Sequence, residues 1–326
     1  MENLIFSLNA TMPIFFTMLL GLFFHKIGLM GESFTKSLNS FVFKIALPFL
    51  LFQDLATQDF AAAWNGKFVL FCFIATLISI LLITGISFLL LKDKGKRGEF
   101  IQVSYRSSAA ILGLAFIQAI YGEGNSSMAS LMILGSVPLY NAAAVVILTL
   151  SAGSDPASSQ SLSSGRERSA LVKKTLWGII TNPIILGILI GLVWSLLRLP
   201  LPSVLSSTIH NVAVLATPLG LMSMGASVRF SDMKKDALPA LIASLIKLFG
   251  LSAIFLPFAA LLGFCNQELV ALLVMSGSAS TVSCYIMAKN MGHDGVLTSA
   301  AVMLTTFGCA FSLTFWLWLL KSLGLV

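Results

Sequence analysis

The chain of 326 residues is 57% hydrophobic and only 10% charged, so its outer surface cannot be that of an ordinary soluble protein. Soluble domains carry about 25% charged residues because their surface faces water. The net charge of +7 does not indicate nucleic-acid binding, because the basic residues stand in short loops between apolar runs.

The apolar runs predict an all-α membrane protein with ten transmembrane helices, because each run is long enough to cross a bilayer. In chain order the predicted spans lie near 7–27, 35–55, 67–91, 99–121, 127–151, 174–197, 203–228, 236–262, 268–290 and 296–320. Serine, glycine and threonine interrupt spans four and nine.

Lysine and arginine are distributed unevenly between the two sets of alternate loops. One set holds fourteen of them, whereas the opposite set and the C-terminal end hold three, Lys67, Arg198 and Lys321. Because cytoplasmic loops carry the excess of basic residues, this asymmetry predicts that both termini lie outside. We expect an integral protein of the bacterial cytoplasmic (inner) membrane.

A hydrophilic segment divides the spans into two sets of five. Residues 152–173, rich in serine, glycine and charge, are predicted to form a flexible cytoplasmic linker between a first repeat, 1–151, and a second, 174–326. The halves match at a constant offset of 170 residues, with Pro48 matching Pro218 and Ser108 matching Ser278. Because five is odd, the second repeat must enter the membrane inverted, as in many secondary transporters.

Spans four and nine carry polar residues at matching places. Exposed backbone cannot face lipid, so a broken helix must be enclosed by protein or line a cavity. If both helices unwind and cross, their half-helix N-termini present free N–H groups that bind carboxylates. The alternative is that these serines are packing contacts in unbroken helices. The candidate substrate-binding residues are Arg106, Ser107, Ser108, Ala109, Gly277, Ser278, Ala279, Ser280, Thr281 and Asn141, and the predicted hinge or helix-break positions are Pro48, Pro218 and Gly113.

Three basic residues, Lys44, Arg106 and Lys247, lie well inside spans two, four and eight, and no acid is expected at comparable depth, since Asp54 is near a span end. A buried charge in lipid needs a partner or water. The missing partner is therefore predicted to be an anion, and Arg106 can hold a carboxylate with two hydrogen bonds, unless it points toward the cytoplasmic side. The two lysines are expected to cap carbonyls or to extend toward the interface.

Catalytic patterns are absent from the sequence. It contains neither H-E-x-x-H nor G-x-x-x-x-G-K-[ST], and its four cysteines lie in separate apolar segments without a C-x-x-C pair. We therefore expect no enzyme activity, no metal and no cofactor.

Several motifs resemble the auxin efflux carrier family in its bacterial branch. They are Leu38-Asn39, Ala46-Leu47-Pro48, Arg97-Gly98-Glu99-Phe100, Leu112-Gly113-Leu114, Tyr121-Gly122, Thr181-Asn182-Pro183-Ile184, Gly187, Gly191-Leu192, Tyr285-Ile286-Met287-Ala288-Lys289 and Gly292. The resemblance implies ten helices in two inverted five-helix repeats, with broken crossover helices 4 and 9, and transport of carboxylates such as auxin, malate or malonate. The chain departs from the family where Ser108 replaces a usual asparagine, and where Ala115 and Ala279 replace usual prolines.

The favoured function is secondary transport of small organic anions, mono- or dicarboxylates, by alternating access at the crossing. A sodium-coupled symporter resembling the bile-acid transporter family, and a non-transporting membrane scaffold or sensor, remain as alternatives. The expected partners are the anion and the lipid bilayer, without nucleic acid. A coupling ion (H+ or Na+) and a homodimer are left open.

Overall fold

Helices account for all the regular structure in the residues that the computed structural model describes, which are 13, 16–57, 64–109, 114–121, 127–152, 181–227 and 230–326. In chain order they are α1 (Phe16–Lys26), α2 (Glu32–Ala56), α3 (Gly66–Leu90), α4a (Lys94–Tyr105), α4b (Leu114–Tyr121), α5 (Ser127–Ala152), α6 (Pro183–Leu196), α7a (Ser203–Ala213), α7b (Ala216–Ala226), α8 (230–261), α9a (Gln267–Gly277), α9b (Ser283–Asn290) and α10 (Val296–Ser322). Six candidate membrane spans are found among them: α2, α3, α5, α7a with α7b, α8 and α10.

The asparagine-proline pair at 182 and 183 fixes the start of α6. Asn182 Oδ1 accepts the Ile184 N–H at 2.9 Å, which satisfies one of the donors that a helix start leaves unpaired. Pro183 stands in the first turn, where a missing N–H removes no helical bond. The predicted sixth span extends back to 174, and its residues before 181 lie outside the described ranges.

Two prolines lie beside distortions of their helices. In α2 a wider π-type turn at Val42–Ala46 precedes Pro48, whose ring and missing N–H disturb the preceding turn. In the second half a two-residue turn separates α7a, which ends at Ala213, from α7b, which begins at Ala216, two residues before Pro218. Both turn residues keep right-handed helical dihedral angles. The two pieces together still form one candidate membrane span, Ser203–Ala226. Motion about the two prolines stays a prediction, and Gly113 lies outside the described residues.

Helix ends recur at one spacing along the chain. The ends of α2 and α7b, Ala56 and Ala226, are 170 positions apart, and so are the ends of α5 and α10, Ala152 and Ser322. This spacing equals the offset found between sequence matches. Of the predicted linker 152–173, Ala152 belongs to α5 and the remainder falls outside the residues that the structure describes.

Close helix contacts between the halves follow the same spacing. Gly21 on α1 lies against Met222 on α7b, where an added Cβ would stand 2.0 Å from the Met222 carbonyl oxygen. Gly191 on α6 lies against Phe52 on α2, where an added Cβ would stand 2.9 Å from the Phe52 carbonyl oxygen. Each second-half residue lies 170 positions after its first-half counterpart, so one contact is the other with the halves exchanged. Small residues allow these helix backbones to approach closely.

The helices pack in two groups. Helices α1, α2, α6 and the α7 pair contact one another, while α3, α4a, α5, α8, α9a and α10 form the other group. The segment α9b contacts α2 and α7b, so the two groups meet at the interruptions of the fourth and ninth spans. This arrangement places the candidate site between the groups.

Candidate functional site

The fourth and ninth spans are interrupted where the sequence predicts, and the interruptions touch. Helix α4a ends at Tyr105 and the Arg106 backbone is extended, while α9a ends at Gly277 and the Ser278 backbone is extended. The Ser108 N–H donates to the Ala279 carbonyl oxygen at 2.9 Å, so a backbone hydrogen bond joins the two segments. The alternative of unbroken helices is excluded for these residues.

The expectation of free backbone N–H groups is wrong at two positions. The Ser108 N–H is occupied by the Ala279 carbonyl, and the Ser280 N–H donates to Thr305 Oγ1 on α10 at 3.1 Å. The interrupted backbone satisfies these donors internally, because an unpaired N–H away from water is costly. These two N–H groups are therefore not available to a ligand.

Arg106 is buried beside the crossing and is held by neutral groups. Its guanidinium donates to Asn141 Oδ1 at 2.8 Å and to Ser283 Oγ at 2.9 Å, and it contacts Met287 Sδ at 2.8 Å. Its Nε has no hydrogen-bond partner, and among the described residues no carboxylate forms an ion pair with it. The Arg106 side chain thus has a positive charge that no contacting carboxylate neutralises, and an unused donor.

A cavity of about 350 Å³, named here the crossing cavity, lies where the interruptions face α2, α5 and α7b. Gly277 and Ser278 do not line it. Ser278 is fully buried and its Oγ has no hydrogen-bond partner. The predicted residues that do line the crossing cavity are Arg106, Ser107, Ser108, Ala109, Asn141, Ala279, Ser280 and Thr281.

Sequence reasoning missed several polar residues of the crossing cavity, namely Asp54 on α2, Tyr140 on α5, Thr217 on α7b and Ser283 on α9b. Asp54 stands two residues before the end of α2, near a span end as predicted, yet its side chain lines the same cavity as Arg106. Its place near a span end concealed this, because the depth of the cavity depends on how α2 packs. For Ser283 the sequence does carry a signal, because this serine stands two residues after Thr281 at the end of the polar break in the ninth span.

The two other intramembrane cations have different environments. Lys247 on α8 is fully buried, and its Nζ donates to the carbonyl oxygens of Met275 and Ser276 at 3.0 and 2.9 Å. These carbonyls belong to the last turn of α9a, so the predicted capping role is confirmed for Lys247. Lys44 is exposed on the wide turn of α2 and does not line the crossing cavity.

The Glu99 carboxylate on α4a caps the start of α10. It accepts hydrogen bonds from the Gly295 N–H at 2.9 Å, the Thr298 N–H at 3.0 Å and Thr298 Oγ1 at 2.7 Å. A carboxylate is favoured there by the unpaired N–H groups and the positive dipole end of the helix. The contact ties the two helices together and is structural.

A second cavity, of about 810 Å³, lies among the helix ends on the side of the lysine-rich loops. Its lining is charged and of both signs, and includes Lys36, Lys289 and Asp294. It also contains the ion pair between Lys96 and Asp236. Partial burial lowers the pKa of Lys96, but the hydrogen bond and the charge of Asp236 outweigh it, so the pKa lies above its ordinary value. We name this space the charged cavity.

Comparison with known proteins agrees with these features. Residues 6–317, nearly the whole chain, match the family described as membrane transport protein. The chain belongs to the auxin efflux carrier family. An uncharacterized transporter of Methanocaldococcus jannaschii is 24% identical, over 97% of this chain and 99% of the relative. An uncharacterized transporter of Methanothermobacter thermautotrophicus is 20% identical, over 95% and 97% of the two chains.

Membership of the family establishes the broad class of the protein. The family consists of membrane transport proteins rather than enzymes, and the apolar helices are those of an integral membrane protein. The crossing cavity is therefore the candidate transport site.

Proposed function

We propose that the protein is a secondary transporter of small organic anions, mono- or dicarboxylates, which bind in the crossing cavity. The observation that carries this proposal is the charge of Arg106, which is 3% exposed and has no carboxylate partner among the described residues. An intramembrane cation that forms no ion pair with a protein carboxylate is disfavoured unless an anion, water or a more distant acid compensates it. A carboxylate ligand supplies the compensating charge.

The size and the unused donors of the crossing cavity suit a small carboxylate. Its volume of about 350 Å³ is at the lower end of the range of small-molecule sites. Arg106 Nε and Ser107 Oγ are both buried and without a hydrogen-bond partner. Because both atoms have almost no accessible surface, each side chain would turn toward the cavity to donate to a bound carboxylate. Charge-assisted bonds of this kind are among the stronger ones in proteins.

Alternating access is supported by the relation between the halves. The exchanged contacts of Gly21 with Met222 and of Gly191 with Phe52 are those expected of two halves related by a pseudo-two-fold axis. With ten helices in two inverted five-helix repeats, outward-open and inward-open arrangements would be of similar energy. The proposed movement is of the α1, α2, α6 and α7 group against the other helices, with the crossing cavity between them.

The proposed location is the bacterial cytoplasmic (inner) membrane, with both termini outside. The basic loops support it, and the charged cavity lies on the same side as those loops. The charged cavity would then face the cytoplasm.

The test is counterflow in vesicles reconstituted with the purified protein. Vesicles are loaded in turn with unlabelled lactate, pyruvate, malate, malonate, glycerol or ethanolamine, and entry of the same radiolabelled compound is followed, with protein-free vesicles as the leak control. Protein-dependent exchange of at least one carboxylate, without exchange of glycerol or ethanolamine, is expected. Exchange of the neutral or cationic compound alone, or of none, would contradict the proposal. Each experiment is run with and without sodium, so that sodium coupling is scored separately.

A further inference from the structure

Asp54 and Arg106 face the same small space from opposite helix groups. Asp54 lies on α2, which packs with α6 and α7a, whereas Arg106 lies on the interrupted fourth span in the other group. Both line the crossing cavity, whose other walls include Leu50 and Leu51. Within the described residues, these two side chains are the acid and the base of the cavity.

Few other titratable groups surround Asp54. Tyr140 on α5 lines the cavity, and its hydroxyl donates to the Met275 carbonyl at 3.2 Å. His210 on α7a bonds Gln53, the residue before Asp54, at 3.0 Å. No acid or base comes from α6, or from the described cavity residues of α7b, the ninth span and α10. Arg106 is therefore the cation that shares the cavity with Asp54.

An ionised Asp54 and a bound carboxylate would compete for that one cation. As a general scale, two unit charges roughly 10 Å apart at an effective dielectric constant near 20 interact strongly enough to alter a binding constant by roughly tenfold. Anion binding and protonation of Asp54 must then be linked in both directions, since coupling between two sites is reciprocal. Acidification should strengthen anion binding.

Asp54 and Arg106 together determine the net charge of the site in the empty and in the loaded carrier. Without a ligand, ionised Asp54 and Arg106 sum to zero; with a monoanion bound, protonated Asp54 leaves the sum at zero again. A monoanion bound beside ionised Asp54 would carry a net negative charge, and the empty site with protonated Asp54 a net positive one. Both are unfavourable in the low-dielectric interior of a membrane protein.

We propose that Asp54 is the proton-binding site of this transporter and that one proton moves with each monoanion. The proposal rests on the proposed function, since it needs an anion at Arg106. The proton enters the Asp54 carboxylate from the side where the anion binds, and leaves to water on the other side with the anion. A dicarboxylate would be carried as its singly charged form.

The test compares Asp54→Asn with the wild type in the same vesicles. Asparagine imitates the protonated acid, so counterflow should persist, because the carrier then always crosses loaded and neutral. Net uptake driven by an inward proton gradient should be lost, because the empty carrier would return with the charge of Arg106 uncompensated. The apparent KM of exchange should fall about tenfold in the wild type between about pH 8 and about pH 5, and stay constant in the variant. Asp93→Asn, an acid outside the crossing cavity, is the matched control.

A measurement on the wild type covers the case in which Asp54→Asn does not fold. A pH-sensitive dye inside the vesicles should report about one proton entering per molecule of the fastest-exchanging carboxylate of the panel. Carboxylate entry without that acidification, or unchanged proton-driven accumulation by Asp54→Asn, would overturn the assignment and leave anion transport standing. Absence of carboxylate exchange in the wild type would instead overturn the proposed function itself.

Discussion

Replacing Arg106 by glutamine removes the cavity's positive charge while keeping an amide donor near Asn141 and Ser283. A hydrogen bond to a charged group contributes about 1.5–3 kcal/mol. If the substrate carboxylate bonds the unused Nε, Arg106→Gln should raise the apparent KM for exchange by roughly tenfold to a hundredfold. Lysine at the same position keeps the charge but loses the planar fork, so Arg106→Lys should fall between the two.

The assay is initial-rate counterflow of the fastest-exchanging carboxylate over a range of external concentrations. Arg198→Gln, which removes an exposed arginine, is the matched control and should leave KM unchanged. Size-exclusion profiles and thermal unfolding in detergent establish that each variant is folded. A folded Arg106→Gln with a wild-type KM would refute the reasoning, because anion recognition would then lie elsewhere.

Five further substitutions distinguish residues of the site from residues that hold the helices together. Ser108→Ala should weaken anion binding by about 0.5–1.5 kcal/mol or less, well below the effect of the arginine, as measured by the KM of counterflow. Gly21→Ala should destabilise the protein by about 1–3 kcal/mol, and Gly191→Ala by less, because the added Cβ at Gly21 makes the closer contact. Gly85→Ala is the control, since its Cβ meets nothing within 4 Å and should not destabilise. Thermal unfolding temperatures of the three variants test this order. Lys247→Met should lower the unfolding temperature, because the Ser276 carbonyl of α9a loses the Lys247 donor, at about 1–3 kcal/mol, while the Met275 carbonyl keeps the Tyr140 hydroxyl. An unchanged temperature would show that water replaces the cap.

The interrupted helices could be predicted from sequence because their causes are local. Serines, glycine and an arginine at the centre of apolar spans disfavour continuous helix in lipid, and they stand at matching places in both halves. The partners of the freed backbone groups could not be predicted in the same way. Thr305 accepts the Ser280 N–H from α10, and only the packing of α10 against the ninth span brings them together.

The roles of the deep charges depended on tertiary structure too. The sequence allows Lys247 either to extend toward the interface or to cap carbonyl groups. The hydrogen bonds from its Nζ to the Met275 and Ser276 carbonyl oxygens of α9a show that it caps them. The position of Asp54 close to the end of its span does not predict that it lines the crossing cavity. Position along a helix gives only approximate depth, and the cavity between two helix groups extends to that level on α2.

The most direct test of the central claim is a structure determined with a transported carboxylate bound, using the fastest-exchanging member of the panel. The account predicts density for the carboxylate in the crossing cavity, with one oxygen about 2.7–2.9 Å from Arg106 Nε, the donor that is otherwise unused. Density for the anion only in the charged cavity, among Lys36 and Lys289, with Arg106 Nε still unpaired, would contradict it.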